Sequence, residues 1–307
     1  MSHWDFYKIS VRHLFIYTIL AFCVAISAVF CNFARFFCIG SGFRTDAILI
    51  YRVIDDISSY LNEKAQRYNC KDFIKNDPVQ FPHAFSDRRD VEVVAVLASI
   101  IAWGNRKMII NSGNKMFRDI MHGRPYEYVM GREWESVDAT VNIHRTFFMR
   151  DFAYVCRGLH SIYSNYDSLE RVFDADDMWQ GIDAFRTLLI EANEGSATRH
   201  ISNPVATKGH PASACKRLHM MLRWLVRQDG IVDLGIWKNI SPSKLMIPLD
   251  VHVARISREL GLLQRKQNDR LSVELLTERL RSLSPDDPVK YDFALFGIGV
   301  EEKSVNS

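Results

Sequence analysis

Apolar positions recur three and four residues apart through most of the chain, which is the pattern of amphipathic helices. The segments with this spacing are 47–69, 87–103, 107–121, 146–173 (one or two helices), 179–192, 214–228, 251–263, 268–283 and a last helix from about residue 289. No series of alternating apolar and polar residues predicts a sheet. The pattern therefore predicts an all-α fold.

Turn and capping residues divide this pattern into separate helices. Asp87 and Ser213 are predicted N-caps, because their side chains can accept hydrogen bonds from the first backbone amides. The pair Gly104-Asn105 predicts a helix end. Residues 193–213 are small, polar and rich in turn formers. A loop of that length inside a folded domain indicates a functional segment.

The N-terminal region differs from the rest of the chain. Residues 14–34 contain no charged side chain over 21 positions, which is close to the length that crosses a bilayer. Three interpretations remain open: a membrane anchor, a signal segment, or upstream sequence that the mature protein lacks because translation starts later. We therefore divide the chain into an apolar extension, 1–45, and a helical domain, 46–307.

Charge and cysteine content narrow the classes of function. The net charge is only +3, yet residues 203–266 contain eleven Lys or Arg against four Asp or Glu. Such a local excess suits a polyanion, although solvated helix faces produce it as well. The six cysteines show no CxxC spacing and no four-cysteine iron–sulfur loop. We expect reduced thiols, no metal, no cofactor and a cytoplasmic location, or an inner-membrane anchor through residues 14–34.

Asp250 is the strongest candidate for chemistry. The segment 247–263, IPLDVHVARISRELGLL, places it at the predicted start of a helix. A carboxylate there lies against the positive end of the helix dipole and stays ionised. Its charge can stabilise a developing sugar cation, or orient an attacking amine or water. An aspartate in this position also serves as a plain N-cap, so both interpretations remain open.

The residues around Asp250 resemble a known superfamily. Pro248, Asp250, His252 and Arg255 match the P-x-D-x-H-x-x-R pattern of the helix-hairpin-helix (HhH-GPD) DNA glycosylases. Over residues 50–300 the chain resembles an uncharacterised bacterial family of unknown function that is itself similar to this superfamily, and the archaeal 8-oxoguanine DNA glycosylases are the nearest characterised type. The segments that carry this resemblance are AVLASIIAWGNRKMI, ACKRLHMMLRWLVR, VDLGIW and PVKYDFALFGIG. The resemblance implies a helix-hairpin-helix glycosylase-like bundle with a cleft between two helical lobes, and Asp250 as the catalytic carboxylate.

The resemblance also implies a catalytic lysine and a DNA-binding hairpin. Bifunctional members use a lysine amine to form a Schiff base with the sugar, and Lys216 occupies that place. A solvated or phosphate-contacting lysine is the alternative, and Lys208 is the next candidate. The family hairpin presents several glycine amides to a phosphate. Here residues 206–217 contain a single glycine, Gly209. This departure from the family hairpin weakens the assignment of Lys216 more than that of Asp250.

Two tryptophans and one turn are candidates for handling a base turned out of the duplex. Trp224 lies eight residues after Lys216, so it can share that helix face and stack on the base. Trp103 is a second pocket candidate, and core packing is the alternative for both. Gly104 and Asn105 resemble the site where these enzymes insert an amide into the duplex. A simple turn explains the same residues.

The remaining candidates are cations that can contact DNA. Arg217 and Arg223 flank the helix of Lys216 and can contact phosphates. His252 and Arg255 join this set through the family pattern, and Lys208 and Gly209 join it through the hairpin. Scattered surface arginines are an adequate alternative explanation.

Three hypotheses follow. The first is a monomeric base-excision glycosylase, with possible lyase activity, acting on a damaged, by analogy oxidised, base in duplex DNA. The second is a catalytically inactive DNA- or RNA-binding protein of the same fold. The third is a membrane-tethered helical protein of unrelated role.

Overall fold

The computed structural model describes residues 56–305, whose regular secondary structure is almost wholly helical. In chain order these are α1 (56–68), α2 (Lys71–Lys75), α3 (Arg88–Ile101), α4 (Arg106–Asn114), α5 (Pro125–Met130), α6 (Met149–Asn165), α7 (Glu170–Phe173), α8 (Met178–Ala192), α9 (Lys216–Val226), α10 (Val251–Glu259), α11 (Arg270–Leu283) and α12 (Tyr291–Val305). Short 3-10 helices span Pro78–Gln80, Pro82–Ala84, Glu133–Ser136, Pro242–Lys244 and Pro288–Lys290, and a π-helical turn, Lys115–Ile120, continues α4. The prediction of a mostly helical chain is confirmed.

One small sheet interrupts the helices. Strands β1 (Asn142–His144) and β2 (Phe147–Phe148) pair antiparallel, with Asn142 opposite Phe148 and His144 opposite Phe147. The sequence did not predict them, because strands of two and three residues are too short for an alternating pattern to appear. The turn between them places Arg145 in the left-handed region, with φ +53°.

Helix α3 lies at the centre of the core. Asp87 is its N-cap, as predicted, and accepts a hydrogen bond of 2.9 Å from the amide of Arg89. Every residue from Val91 to Ile101 is buried, which is typical of a helix surrounded by other elements. Helix α9 packs along it, so α3 fixes the position of Lys216.

A buried carboxylate ties α3 to its neighbours. Glu92 is fully buried and accepts hydrogen bonds from Ser168 Oγ at 2.5 Å, Trp237 Nε1 at 2.7 Å and Tyr163 Oη at 2.9 Å. Burying a charge is costly unless hydrogen bonds compensate it, and here they do. We therefore assign Glu92 a structural role.

Helix α10 packs against α12, and a glycine allows the close approach. A Cβ on Gly299 would lie 2.9 Å from the Cβ of His252. Since real Cβ contacts are essentially never that short, only glycine fits here. This packing holds Asp250, at the start of α10, beside the helix that carries Asp292.

The described chain has one apolar core, extending from Leu61 to Ile298. The described residues, 56–305, form one compact unit. Over 56–305, every helix is too short or too polar to cross a membrane. The apolar segment 14–34 and the predicted extension 1–45 lie outside the described residues.

Candidate functional site

A cavity of about 400 Å³ opens beside the first residues of α4, α9 and α10. Its charged lining residues are Asp77, Arg106, Lys216, Arg223, Asp250 and Asp292. Aromatic side chains from Phe73, Trp103, His252, Phe293 and Phe296 supply much of the remaining wall. The cleft therefore combines an ionic side with a flat, apolar side.

Asp250 uses its two carboxylate oxygens differently. It is the N-cap of α10, and Oδ1 accepts hydrogen bonds of 2.8 Å from the amides of His252 and Val253. Oδ2 lies 3.4 Å from Lys216 Nζ. The N-cap interpretation is therefore confirmed, and the catalytic interpretation stays a prediction. The cap fixes the carboxylate, and its free oxygen faces the cleft.

Lys216 is the first residue of α9 and follows a left-handed residue. Cys215 is the N-cap, with φ +44°, and its amide donates to Ser213 Oγ at 3.2 Å. The prediction that Ser213 caps this helix is therefore wrong by two residues. Ser213 Oγ accepts from the amide of Cys215 rather than from an amide inside the helix, and the chain enters the helix through the left-handed turn that follows.

The pair joins two residues that are 34 positions apart in the sequence. The side chain of Lys216 is 34% exposed and that of Asp250 is 11% exposed. Their separation of 3.4 Å makes an ion pair but exceeds the usual length of a good hydrogen bond. The amine is thus held at the carboxylate without being locked to it.

The floor of the cleft is a buried ionic network. Arg223 is 3% exposed, and its guanidinium binds Asp233 at 3.1 Å and also Asp292. Arg227 binds the other oxygen of Asp233 at 3.0 Å. The prediction that Arg223 contacts DNA phosphates is corrected, because this side chain is buried and its donors are committed inside the protein.

Two acids in the cleft hold their protons more tightly than usual. Burial raises the pKa of Asp292 to about 6, although Arg223 lowers it. Burial also raises the pKa of Asp77, although the amide of Val79 and the nearby cations lower it. The charge at the base of the cleft therefore changes near neutral pH, through Asp292.

The three phenylalanines of the aromatic wall and both of these acids were not predicted from the sequence. Phe73 packs edge-on against Phe293 at 5.5 Å and against Phe296 at 6.3 Å between ring centroids. For Asp292 the sequence did offer a signal, because a charged residue within the apolar run of α12 indicates a special role. Asp77 carried no signal beyond its place before a proline.

The turn at Gly104 lies at the cleft, as one of the base-handling predictions required. Gly104 has φ +101° and lines the cavity together with Trp103, which is partly buried. Asn105 caps α4, and its Oδ1 accepts a hydrogen bond from the amide of Met108 at 3.3 Å. Asn105 thus starts α4, and α3 ends at Ile101, close to the helix end predicted at the Gly104-Asn105 pair.

The predicted roles of Trp224 in base stacking and of Arg217 in phosphate binding need correction. Trp224 is fully buried in the core and does not line the cavity, because eight residues carry it about 80° around the helix from Lys216. Arg217 donates to the backbone carbonyls of Ile100 and His200. Its guanidinium fastens the start of α9 to the end of α3, so it is not free for a phosphate.

The other predicted DNA contacts are dispersed. Lys208 and Gly209 form an exposed two-residue turn between Thr207 and His210, outside the cavity lining. His252 lines the cavity. Arg255 is occupied by Glu259 at 2.9 Å and by the carbonyl of Gly299 at 3.3 Å. Within 56–301 no cluster of His, Cys, Asp or Glu is arranged to hold a metal ion.

Comparison with known proteins gives a family but no activity. A family described as "Protein of unknown function (DUF2400)" matches residues 77–301, a span that includes Lys216, Asp250 and Asp292. No curated protein and no solved structure matches the chain. The comparison provides no link to the helix-hairpin-helix glycosylases.

Proposed function

We propose that this chain, which belongs to the DUF2400 family, is a DNA base-excision glycosylase built on a helix-hairpin-helix glycosylase-like fold. One observation carries the proposal. Lys216 Nζ and Asp250 Oδ2 lie 3.4 Å apart inside a cleft of about 400 Å³. An amine beside a fixed carboxylate in a pocket of this size suits attack on a sugar carbon.

Asp250 stabilises positive charge on the sugar. A nucleotide turned out of the duplex enters the cleft, and its N-glycosidic bond breaks with both bonding electrons leaving on the base. Oδ2 faces the cation that develops at C1′, while the two amides on Oδ1 keep the carboxylate in place. No rearrangement of the helix is then needed when the charge appears.

Lys216 then forms the covalent bond. Its amine passes a proton to a neighbouring carboxylate, of which Asp250 is the nearest, and adds its lone pair to C1′. The added nitrogen then loses a second proton, and its lone pair forms the C1′=N bond as the C1′–O4′ bond breaks. O4′ takes the electron pair of the broken bond and the proton that the nitrogen released, so the sugar ring opens. The product is an iminium between Nζ and C1′.

The rest of the cleft suits a flat base with hydrogen-bond donors. Phe73, Phe293 and Phe296 offer an aromatic wall for stacking. Asp77 and Asp292 line the same cavity and can accept hydrogen bonds from base N–H groups. An oxidised purine as the substrate follows only from the resemblance to the archaeal enzymes.

The second candidate is an inactive nucleic-acid-binding protein of the same fold. The observation that favours it is the turn at Lys208 and Gly209, which is exposed and lies outside the cavity lining. A glycosylase hairpin lies near its catalytic pair and presents more than one glycine. The two candidates differ in whether base release occurs at all.

Single-turnover base release tests the proposal. Duplexes that each carry one lesion are incubated with excess wild-type protein and with D250N and K216A. Asn caps a helix as well as Asp does, so D250N removes the charge and keeps the cap. We expect release from at least one duplex, slowed in both variants by about 100-fold or more.

Two control variants separate chemistry from fold. Asp177 caps α8 by accepting a hydrogen bond of 2.9 Å from the amide of Gln180, and D177N changes a cap of the same kind outside the cavity lining. Lys266 is an exposed lysine, and K266A matches K216A. Both controls should retain the wild-type rate. If no duplex releases a base, or if D250N retains the wild-type rate, the proposed glycosylase activity is contradicted.

A further inference from the structure

A second group of cations lies at the mouth of the cleft. Arg106, Lys107 and Arg145 are all exposed, and within residues 56–301 none has an acidic partner at ion-pair distance. The Cζ atom of Arg106 lies 5.9 Å from the centroid of the Phe296 ring, and that of Arg145 lies 4.7 Å from the centroid of the Trp103 ring. The two arginines lie against aromatic rings rather than carboxylates, so their hydrogen-bond donors remain available.

The hairpin that carries Arg145 is fastened to the cleft. His144 is buried, with Nε2 at 2.8 Å from the carbonyl oxygen of Trp103 and Nδ1 at 3.0 Å from Ser112 Oγ. Because a carbonyl can only accept, Nε2 carries the hydrogen and Nδ1 accepts from the serine. Burial lowers the pKa of His144, which keeps it neutral and this arrangement intact.

The backbone beside Arg145 also offers donors. A Cβ on Gly104 would lie 2.6 Å from Arg145 Nη1, so the guanidinium rests directly on this glycine. Helix α4 starts at the next residues, and Oδ1 of its N-cap, Asn105, accepts from the amide of Met108. The amides of Arg106 and Lys107 make no hydrogen bond in the described chain.

We infer that Gly104–Lys107 and Arg145, the rim site, bind a phosphodiester group of the strand whose nucleotide enters the cleft. Arg106 and Arg145 lie against rings that line the cleft, the two free amides and the positive end of α4 lie beside them, and Lys107 adds an exposed charge on the first turn of α4. This inference rests on the proposed function for the identity of the strand. It assigns a phosphate contact to the cleft mouth, whereas the sequence predicted such contacts at Arg217, at Arg223 and at the hairpin around Gly209.

Salt-dependent binding tests the rim site. A fluorescent duplex with a tetrahydrofuran abasic analogue is titrated by anisotropy at several NaCl concentrations, using wild-type protein and the double variant R106A/R145A. Removing one cation that neutralises a phosphate lowers the slope of log K against log salt by about one. We expect a slope lower by about one to two and an affinity about ten-fold weaker or more at moderate salt.

A charge-matched control isolates position from total charge. Arg171 and Lys266 are exposed and lie outside the cavity lining, and R171A/K266A removes the same number of cations. Its slope should equal that of the wild type, and thermal melting should show both double variants folded. A wild-type slope in R106A/R145A would overturn the rim site.

A third variant tests the geometry without removing charge. G104A places a methyl group against Arg145 and strains a left-handed residue, so it should weaken duplex binding while the other cations remain. Wild-type affinity in G104A would contradict the assigned position of Arg145.

The two proposals fail in different ways. Base release that depends on Asp250, combined with unchanged binding by R106A/R145A, would reject the rim site alone. A slope that depends on the rim residues, with no release from any lesion, would reject the glycosylase and leave a nucleic-acid-binding surface.

Discussion

Helix α9 carries two kinds of cation on one face, and the difference separates structure from chemistry. Arg223 and Arg227 are buried among carboxylates, and Asp233 binds both at 3.0 to 3.1 Å. Lys216, seven residues before Arg223, is 34% exposed and has one acid at 3.4 Å. A cation with several close, buried partners stabilises the fold. A cation with one looser partner at a cavity can take part in a reaction.

The same distinction applies to the carboxylates. Asp233 is fully buried as a side chain and is bound on both oxygens by arginines. Asp250 has one oxygen occupied by backbone amides and the other turned to the cleft. The number of occupied oxygens therefore distinguishes the structural acid from the candidate catalytic acid.

The largest effect on stability is expected at Asp233. D233N removes the charge that Arg223 and Arg227 share and leaves buried cations underpaired. Breaking a buried pair in this way should lower the free energy of unfolding by about 3–5 kcal/mol, measured by urea denaturation followed by circular dichroism. D177N, at an exposed cap, should change it by less than about 0.5 kcal/mol. A loss in D233N as small as in the control would show that the network is not structural.

A smaller effect is expected in the pH dependence of stability through Asp292. Its pKa of about 6 lies above the ordinary value of 3.8, so the folded protein holds this proton more tightly than the unfolded chain. The resulting contribution to stability is present below pH 4 and is lost as the pH rises through 6. The wild type should therefore lose about 1–3 kcal/mol of unfolding free energy relative to D292N between pH 4 and pH 7. A difference that is constant across this range would contradict the raised pKa.

The smallest effect is expected at Lys216. K216M keeps the aliphatic part of the side chain and removes a partly exposed charge. Because solvent screens such a pair, the free energy of unfolding should change by less than about 1 kcal/mol in urea melts. A loss as large as that of D233N would place Lys216 in the structural class and end the contrast between the two kinds of cation.

Helix positions could be predicted from the sequence where local chemistry sets them. Asp87 and Asp250 begin helices as expected, because an aspartate that accepts from backbone amides needs no distant partner. The start of α9 was misplaced at Ser213, since the left-handed turn at Cys215 depends on tertiary packing. The π-helical turn at Lys115–Ile120 carried no sequence signal.

The cleft was predictable only in part. Lys216 and Asp250 were identified through a family pattern, and the structure brings them together. Asp292 was missed, because a single acid in an apolar helix does not reveal which cavity it faces. Trp224 was misassigned, since counting whole turns ignores the angle that accumulates over eight residues.

Borohydride trapping on an abasic duplex tests the central claim most directly. Sodium borohydride reduces an iminium to a stable amine, so it links the protein to DNA only if a lysine has bonded to C1′. We expect a covalent adduct with the wild-type protein and with K266A, and no adduct with K216A. Peptide mapping should place the adduct on Lys216. Absence of an adduct with the wild type, or an adduct mapped to another lysine, would contradict it.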